Sequence, residues 1–390
     1  MKNNKLLFVC PTYPAIGGME TVTSLLVDFF LGHSLEVFIL IPGSETLLGG
    51  VPDKHIKLMT PMKGDLNSKE NLDFIDDFIV TNDIACVINQ GLLSEIHLRA
   101  ELHKDVLFIN TLHSCPFWEL VKFKSSTLSQ LLAKEKSTHS RMKVFLRFLL
   151  NHIKPGMSHL FIHSFYRKQI DMVSYYVVLD PTYKKILENR LYHGVAQDKI
   201  KAIPNPLVLP EHSALPKKKQ VLWVGRLTAS PKRVDRLLRI WELIQSEAPD
   251  WELLIIGDGD QRVKLETMAL DLNLINTHFM GYCKVEPFYE SASILCLTSS
   301  YEGLPMVLLE AQSYGTIPVT FGCVEAIDHI IDHDKSGVII ESFNEKLFAI
   351  ALLKLMKDSA LRVEMSRKAR EKASEFALEK IGQQWLNLLQ

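Results

Sequence analysis

No stretch of this chain approaches the roughly 18 apolar residues that a membrane-spanning helix needs, so insertion through a helix is not expected. The opening apolar run, Leu6 to Cys10, is too short for the core of a secretory signal, and a cytoplasmic location is expected. The six cysteines, at 10, 86, 115, 283, 296 and 323, form no C-x-x-C pair and read as buried reduced thiols. Charge of one sign is lacking too. Lys and Arg number 44 against 45 Asp and Glu, a net charge of −1, which gives no global ground for nucleic-acid binding. No G-x-G-x-x-G dinucleotide fingerprint, internal repeat or low-complexity tract occurs. What remains is a soluble-type composition, 47% hydrophobic and 23% charged, over 390 residues. That length exceeds one ordinary core, so two domains are expected.

The chain alternates strand-like and helix-like stretches, the pattern of parallel α/β sheets. Leu6–Cys10 reads as a buried strand, then a loop carrying Gly17-Gly18, then an amphipathic helix from Met19 to Leu31. Further strands are expected at Glu36–Ile41, Ile84–Asn89, Val106–Thr111 and Tyr175–Leu179. His113 follows the third of these, at a strand's carboxyl end, where ligands of doubly wound sheets gather. Taken alone, Gly17-Gly18 is an ordinary turn and His113 an ordinary structural histidine. Residues 117–155 stand apart, with eight Lys and Arg against two Glu and interleaved apolar residues such as Phe145, Leu146 and Phe148. Such a segment suits either a solvated basic helix face or contact with an anionic membrane.

Ile200 to Pro216 is rich in proline, with Pro204, Pro206, Pro210 and Pro216, and reads as the linker between domains. A new strand from Gln220 to Val224 ends in Gly225-Arg226-Leu227, with Lys232 six residues past Arg226. A basic pair after the first strand of an α/β domain suits a diphosphate, since Arg binds phosphate oxygens bidentately and Lys adds a point charge. Arg233 is adjacent and leaves open which side chain reaches the phosphates. Gly257-Asp258-Gly259-Asp260 lies at a strand-to-helix turn, where Asp and Gly serve turn geometry and capping, and no metal is assigned to it. Asp332-His333-Asp334 reads as a polar loop.

The most informative stretch runs from Ser299 to Ala311 between two apolar strands, Ile294–Thr298 and Ile317–Phe321. Pro305 suits the first turn of a helix, and Gly315 its end. Glu302 then lies in the loop and Glu310 about a turn and a half into the helix. The backbone amides of Leu304, Met306 and Val307 point to an anion site at the helix start.

This stretch resembles the E-x7-E signature of retaining glycosyltransferases of family four, which have the two-domain GT-B fold. The resemblance is strong over residues 219 to 342. In the first half it rests on Gly17-Gly18, His113 and layout. It implies two Rossmann-like domains, 1–205 and 206–372, and a closing helix, 373–390, that crosses back to the first. It implies a retaining, metal-independent hexosyltransferase of bacterial surface polysaccharide synthesis, taking a nucleoside-diphosphate sugar, expected to be a UDP-sugar, to a glycan or lipid-linked acceptor. The nucleotide sugar is a substrate, so no cofactor is expected. The resemblance assigns the catalytic roles to Glu302, His113, Arg226 and Lys232. It places Gly17, Gly18, Gly225, Arg226 and Lys232 near the diphosphate, along with Gly303, Leu304, Met306 and Val307 at the helix start. Glu310 matches the ribose ligand, Glu302 and His113 the groups that hold the sugar, and Tyr282 and Cys283 the segment bordering the base. Because many such enzymes use lipid-linked acceptors, residues 117–155 are expected at the inner membrane face. Rival readings are a nucleotide-sugar epimerase of the same fold and an inactive membrane-associated assembly subunit.

Overall fold

The computed structural model describes residues 2–10, 13, 17–42, 56–62, 67–91, 95–119, 142, 155–191, 197–211, 216–341 and 343–390. The chain divides into two compact units, one of Met1–Ile203 with Trp385–Gln390, the other of Pro204–Gln384.

The first unit is built on a parallel sheet of β1 (Lys5–Val9), β2 (Glu36–Pro42), β3 (Ile56–Met62), β4 (Cys86–Asn89), β5 (Leu107–Leu112), β6 (Tyr175–Val178) and β7 (Ile200–Ala202), in the order β3-β2-β1-β4-β5-β6-β7. Four helices belong to it among the described residues: α1 (Gly18–Gly32), α2 (Lys69–Thr81), α3 (Pro155–Met172) and α4 (Pro181–Arg190). Strands β1 and β2 are near-continuous Val, Ile, Leu and Phe, the pattern of strands buried on both faces. Leu6, Leu7, Phe8 and Val9 are all fully buried. Helix α1 buries Val22, Leu26, Val27 and Phe30 at helical spacing, which seats it on the sheet. Ser68 caps α2 through the Asn71 N–H, and Asp180 caps α4 through the Thr182 N–H.

The second unit repeats the plan. Its strands are β8 (Lys218–Val224), β9 (Glu252–Ile256), β10 (Thr277–Gly281), β11 (Ala292–Leu297), β12 (Ile317–Phe321) and β13 (Val338–Ile340), ordered β10-β9-β8-β11-β12-β13 and paired in parallel. Helices α5 (Val234–Ile244), α6 (Arg262–Asp271), α7 (Glu286–Ser291), α8 (Met306–Ser313), α9 (Ile327–Ile330), α10 (Glu345–Lys357) and α11 (Ser359–Ala373) follow in turn, and α12 (Leu378–Leu389) begins in this unit and ends in the first. Its core holds Trp223, Trp241, Phe321 and Phe348, with Val234, Leu237, Leu238, Ile240 and Ile244 of α5 packed into it. Truncating one such residue, Leu237→Ala, costs on the order of 2–5 kcal/mol by lost transfer energy and the cavity left.

Two expectations are corrected. The linker expected from Ile200 begins with strand β7, whose three residues pair with β6, so the irregular stretch starts only at Ile203. Leu207 is then strapped to the start of α12: its N–H donates to Phe376 O (2.8 Å), and its carbonyl accepts from the Leu378 N–H (2.9 Å). Pro305 is the residue before α8 rather than in its first turn, with φ −74° and ψ 87°. The helix end is as expected. Gly315 has φ +74°, its N–H donates to Gln312 O, and Thr316 N–H donates to Ala311 O, the paired bonds of a Schellman stop. None of the six cysteines is in a disulfide. Among the described residues no helix is long and apolar enough to cross a membrane. The basic segment 117–155 lies outside the described residues except for 117–119, 142 and 155.

Candidate functional site

In a doubly wound sheet, neighbouring strands whose connections run to opposite sides leave a crevice at their carboxyl ends. In the second unit that switch falls between β8 and β11. The loop after β8 carries Gly225, Arg226 and Lys232, and the loop after β11 carries Glu302. Backbone hydrogen bonds tie the two together. Ser300 N–H donates to Pro231 O (2.8 Å), and the Thr298 hydroxyl donates to Arg233 O (3.0 Å). Residues 70 apart in sequence therefore meet, and Lys232 Nζ sits 2.9 Å from Glu302 Oε1. This ion pair is partly shielded, with side-chain exposures of 23% and 12%. An ammonium has three N–H donors, so Lys232 keeps two for another partner. Arg226 is exposed and makes no side-chain hydrogen bond among the described residues. Arg233, the alternative to Lys232, is committed elsewhere. It stands in the left-handed region at the cap of α5, and its guanidinium holds Asp235 bidentately at 2.9 Å and 2.9 Å.

The glycines of these loops have a packing role. Gly225 N–H donates to Ile256 O, Leu227 N–H to Asp258 O, and Gly257 N–H to Gly281 O, so the loops after β8, β9 and β10 form one backbone-bonded ledge. A Cβ on Gly257, whose φ is +132°, would lie 1.9 Å from the Gly225 carbonyl oxygen, and one on Gly259 would lie 2.3 Å from Leu227 O. Only glycine allows that approach. Asp258 serves the same ledge. Its carboxylate accepts from the Gly259 N–H (2.7 Å) and from Arg262 (3.1 Å), which hold it below its usual pKa, the Gly259 bond most strongly.

Glu310 occupies the fifth position of α8 and is half-buried. Burial pushes its carboxyl above the usual range, opposed by a hydrogen bond from the Tyr289 hydroxyl to Oε2 at 2.9 Å. Tyr289 is 1% exposed, and its own carbonyl accepts from Lys217 Nζ (2.7 Å). The residue was not legible as part of a site, because an aromatic in a short helix reads as core filling. At the start of α8, Leu308 N–H is the first to bond back, to Pro305 O. The amides of Met306 and Val307 precede it, while Gly303 and Leu304 lie in the loop. Tyr282 and Cys283 follow β10 at the sheet's edge, three strand spacings or about 14 Å from β11. Tyr282 is 67% exposed. The structure thus gathers Gly225, Arg226, Lys232 and Glu302 at one switch point, sets Glu310 on the next helix, and leaves Tyr282 and Cys283 at the edge.

The first unit has its own strand-end cluster, at its switch between β1 and β4. Gly17 precedes α1 with φ 168°, an extended backbone open to any residue, and Gly18 opens the helix with free space where a Cβ would be. A Cβ on Gly17 would meet the Glu20 carboxylate first, at 2.2 Å, a side-chain end that can move, so neither glycine is fixed by backbone packing within the unit. His113 follows β5. Its Nε2 contacts Gln90 Oε1 closely and lies 3.2 Å from the Thr111 hydroxyl. Burial lowers its pKa from 6.5 to about 4, so the ring is neutral at physiological pH. Gln90 was not singled out by sequence. The signal present was a polar pair, Asn89-Gln90, closing an apolar strand where a fully buried strand would continue apolar.

Comparison with known proteins agrees with this layout. Residues 209–372 match the family described as glycosyl transferases group 1. An uncharacterized glycosyltransferase of Haemophilus influenzae is 33% identical over 190 residues, 48% of this chain and 54% of the relative. The amylovoran biosynthesis glycosyltransferase AmsD of Erwinia amylovora is 32% identical over 175 residues, 44% of this chain and 48% of the relative. The chain thus spans about half the length of the curated relatives it matches. A crystal structure of a TarM variant of S. aureus, in complex with Fondaparinux, α-GlcNAc-glycerol and UDP, superposes with a TM-score of 0.75 at 15% identity, covering 99% of this chain and 100% of that one. The fold, two Rossmann-like α/β units on parallel sheets, is GT-B.

Proposed function

We propose that this chain, whose second unit carries a glycosyl transferases group 1 segment on a GT-B fold, is a retaining glycosyltransferase. It would move a hexose-type sugar from a nucleoside diphosphate, UDP in this reading, to a hydroxyl of a glycan or lipid-linked acceptor in bacterial surface polysaccharide synthesis. The observation that carries the reading is the Lys232–Glu302 pair beside Arg226 at the β8/β11 switch point, with Glu310 on the following helix. As a glycosidic bond to a diphosphate breaks, negative charge builds on the leaving oxygen, and preorganised cations stabilise it most where charge develops. Arg226 and the two free N–H donors of Lys232 supply that stabilisation, and the Met306 and Val307 amides add to it. Glu302, held by Lys232, is placed against the sugar, and Glu310, held by Tyr289, accepts from the ribose hydroxyls. On the sequence resemblance, Gly17, Gly18 and His113 are also proposed as donor-binding residues. No cofactor or metal enters this scheme, because side-chain cations stand where a divalent ion would. UDP in the TarM complex and the polysaccharide role in AmsD's name support the donor and the setting.

The test is a panel of nucleoside-diphosphate sugars with the released nucleotide as readout, run with and without acceptor and with and without EDTA. Acceptor-dependent release that survives EDTA is expected. An isomerised nucleotide sugar without acceptor would identify an epimerase, and rescue of an EDTA-inactivated enzyme by Mg²⁺ or Mn²⁺ would overturn metal independence. Residues 117–155 are proposed, on sequence grounds, to rest on an anionic membrane at the cytoplasmic face. Each basic residue at such a surface contributes about 1 kcal/mol. Reversing Lys134, Lys136, Arg141 and Lys143 is expected to release the protein from acidic liposomes, and retention would refute the contact.

A further inference from the structure

We propose that Lys217 is a positioning residue for Glu310: by gripping the Tyr289 carbonyl, it keeps the Tyr289 hydroxyl against the carboxylate assigned to the donor ribose. The ribose assignment rests on the transferase reading, whereas the positioning can be measured at the carboxyl group without any nucleotide.

Tyr289 reaches Glu310 from α7, and Glu310 stands on α8. Their hydrogen bond, 2.9 Å from the hydroxyl to Oε2, therefore needs the two helices in fixed register. Helix α7 has only six residues, and a helix so short takes its position from its contacts rather than from its own hydrogen bonds. The Tyr289 carbonyl is among its last four, which lack partners inside a helix. Two donors fill that gap. Lys217 Nζ, just before β8, lies 2.7 Å from Tyr289 O, and Thr316 Oγ1 lies 2.5 Å from it. Lys217 Nζ also donates to Thr316 Oγ1 (2.9 Å), and Thr316 is the residue whose N–H closes the stop of α8 on Ala311 O. One ammonium thus ties the end of α7 to the end of α8, at the opposite end of β8 from Arg226. Helix α11 takes the neighbouring carbonyls: Ser366 Oγ donates to Gly315 O (2.6 Å), and Arg370 Nη2 to Tyr314 O (3.3 Å). The Tyr314 ring flanks that of Tyr289, with 6.0 Å between centroids.

A charged lysine here costs stability. Burial first, and then the nearby Arg370, bring its pKa down from 10.5 to about 7, with Glu290 of α7 opposing. Below about 7 the folded chain carries the whole cost, which is relieved as pH rises toward the 10.5 of the unfolded chain. A methionine of similar length would fill the space without that cost, and Thr316 would still serve the Tyr289 carbonyl. What the ammonium adds is a second, charge-strengthened bond that fixes where Tyr289 stands. Two further charges face the pair, Glu286 of α7 beside Tyr289 and Glu310, and Lys232 beside Glu310.

The experiment is ¹³C NMR of the Glu310 carboxyl in the full chain with labelled glutamate, the signal being assigned by its loss in Glu310→Gln. Lys217→Met is expected to make Glu310 titrate at a higher pH than in wild type, because the Tyr289 hydroxyl that opposes the effect of burial is less well held. Tyr289→Phe is expected to raise it at least as far, and adding Lys217→Met to Tyr289→Phe to raise it no further. An unmoved Glu310 in Lys217→Met overturns the proposal. So does a further rise in the double variant, which would mean that the lysine's charge acts on the carboxylate directly. Should Lys217→Met fail to fold, Thr316→Val removes the other donor to Tyr289 O and is expected to give the same rise, with an unmoved Glu310 again overturning the proposal. Calorimetry then reads the ligand: UDP affinity is expected to fall roughly threefold in Lys217→Met, part of the worth of one hydrogen bond, and not to fall when the change is made in Glu310→Gln. A loss that persists in the Glu310→Gln background overturns the route through Glu310. Equal UDP affinity in wild type and Glu310→Gln overturns the ribose assignment of the transferase reading, and the positioning role is then decided by the titration alone.

Discussion

The strand ends after β4 and β5 in the first unit, and after β8 and β11 in the second, hold comparable places beside the switch points of two similar sheets. Their chemistry differs. The first is made of amides, a hydroxyl and a neutral histidine, and its amides and hydroxyl are deeply buried: Gln90, Asn89, Asn110 and Thr111 are all at 5% exposure or less. The second is made of Arg226, Lys232, Glu302 and Glu310 and stays partly open. Desolvation explains the contrast. Neutral groups can be buried once hydrogen-bonded, whereas charges pay several kcal/mol each unless paired, and even then favour partial exposure. The same backbone plan thus supports one charged strand-end cluster and one neutral one, and side chains alone decide which.

If the division is right, the largest effect comes from removing charge in the second unit. Lys232→Ala deletes a cation at the leaving group and leaves Glu302 unpaired. Transfer kcat is expected to fall by about 10²–10³, the range for losing one preorganised electrostatic contact, measured by steady-state nucleotide release. A loss under tenfold would remove Lys232 from the reacting centre. Next comes the separation of the two glutamates. Glu302→Gln is expected to lower kcat by on the order of 10² while calorimetric UDP binding survives. Glu310→Gln is expected chiefly to raise the donor KM, since contact with a non-reacting part is felt in ground and transition states alike. Tyr289→Phe should act in the same sense, by roughly tenfold, the worth of a hydrogen bond to a charged group. Because Tyr289 opposes the burial-raised pKa of Glu310, the Phe variant should lose UDP affinity at a higher pH than wild type as the solution is acidified. Swapped glutamate phenotypes would exchange the two roles.

The smallest effect belongs to the first unit and concerns stability. His113 titrates near 4 in the folded chain against 6.5 for the ordinary group. Between those values the unfolded chain binds the extra proton, so stability falls as pH is lowered through this window. Wild type should lose roughly 1–2 kcal/mol between pH 7 and pH 5 through this group, and His113→Gln should lack that part of the slope. An equal loss of stability in wild type and His113→Gln between the two pH values, measured by denaturant titration, would mean that the ring is not held neutral.

How much of this was readable beforehand follows from the same physics. Strands such as β1 and β2 announce themselves because burial on both faces demands unbroken apolar runs. Strand β3 does not, since Lys57, Thr60 and Pro61 interrupt it, and β7 is three residues beside a proline. The E-x7-E spacing was visible, and so were Arg226 and Lys232, because charged residues at strand ends stand out against apolar neighbours. Their pairing was not: Lys232 meets Glu302 only through hydrogen bonds between loops 70 residues apart. Tyr289 and Gln90 were hidden for opposite reasons. Tyr289 is a core-type residue whose one polar atom matters, and Gln90 is a polar residue whose partners come from another strand.

The ledge formed by the loops after β8, β9 and β10 bears on redesign. The Gly225 carbonyl rests where a methyl group on Gly257 would stand, so the position of Arg226 is calibrated by a missing carbon atom one loop away. Anyone retargeting this chain to another substrate would do well to treat 225, 257 and 259 as a fixed chassis and to diversify Tyr282 and its neighbours at the open edge. A single alanine at 257 would serve as a spacer, displacing Arg226 without touching it, and would report how finely that guanidinium has to be aimed.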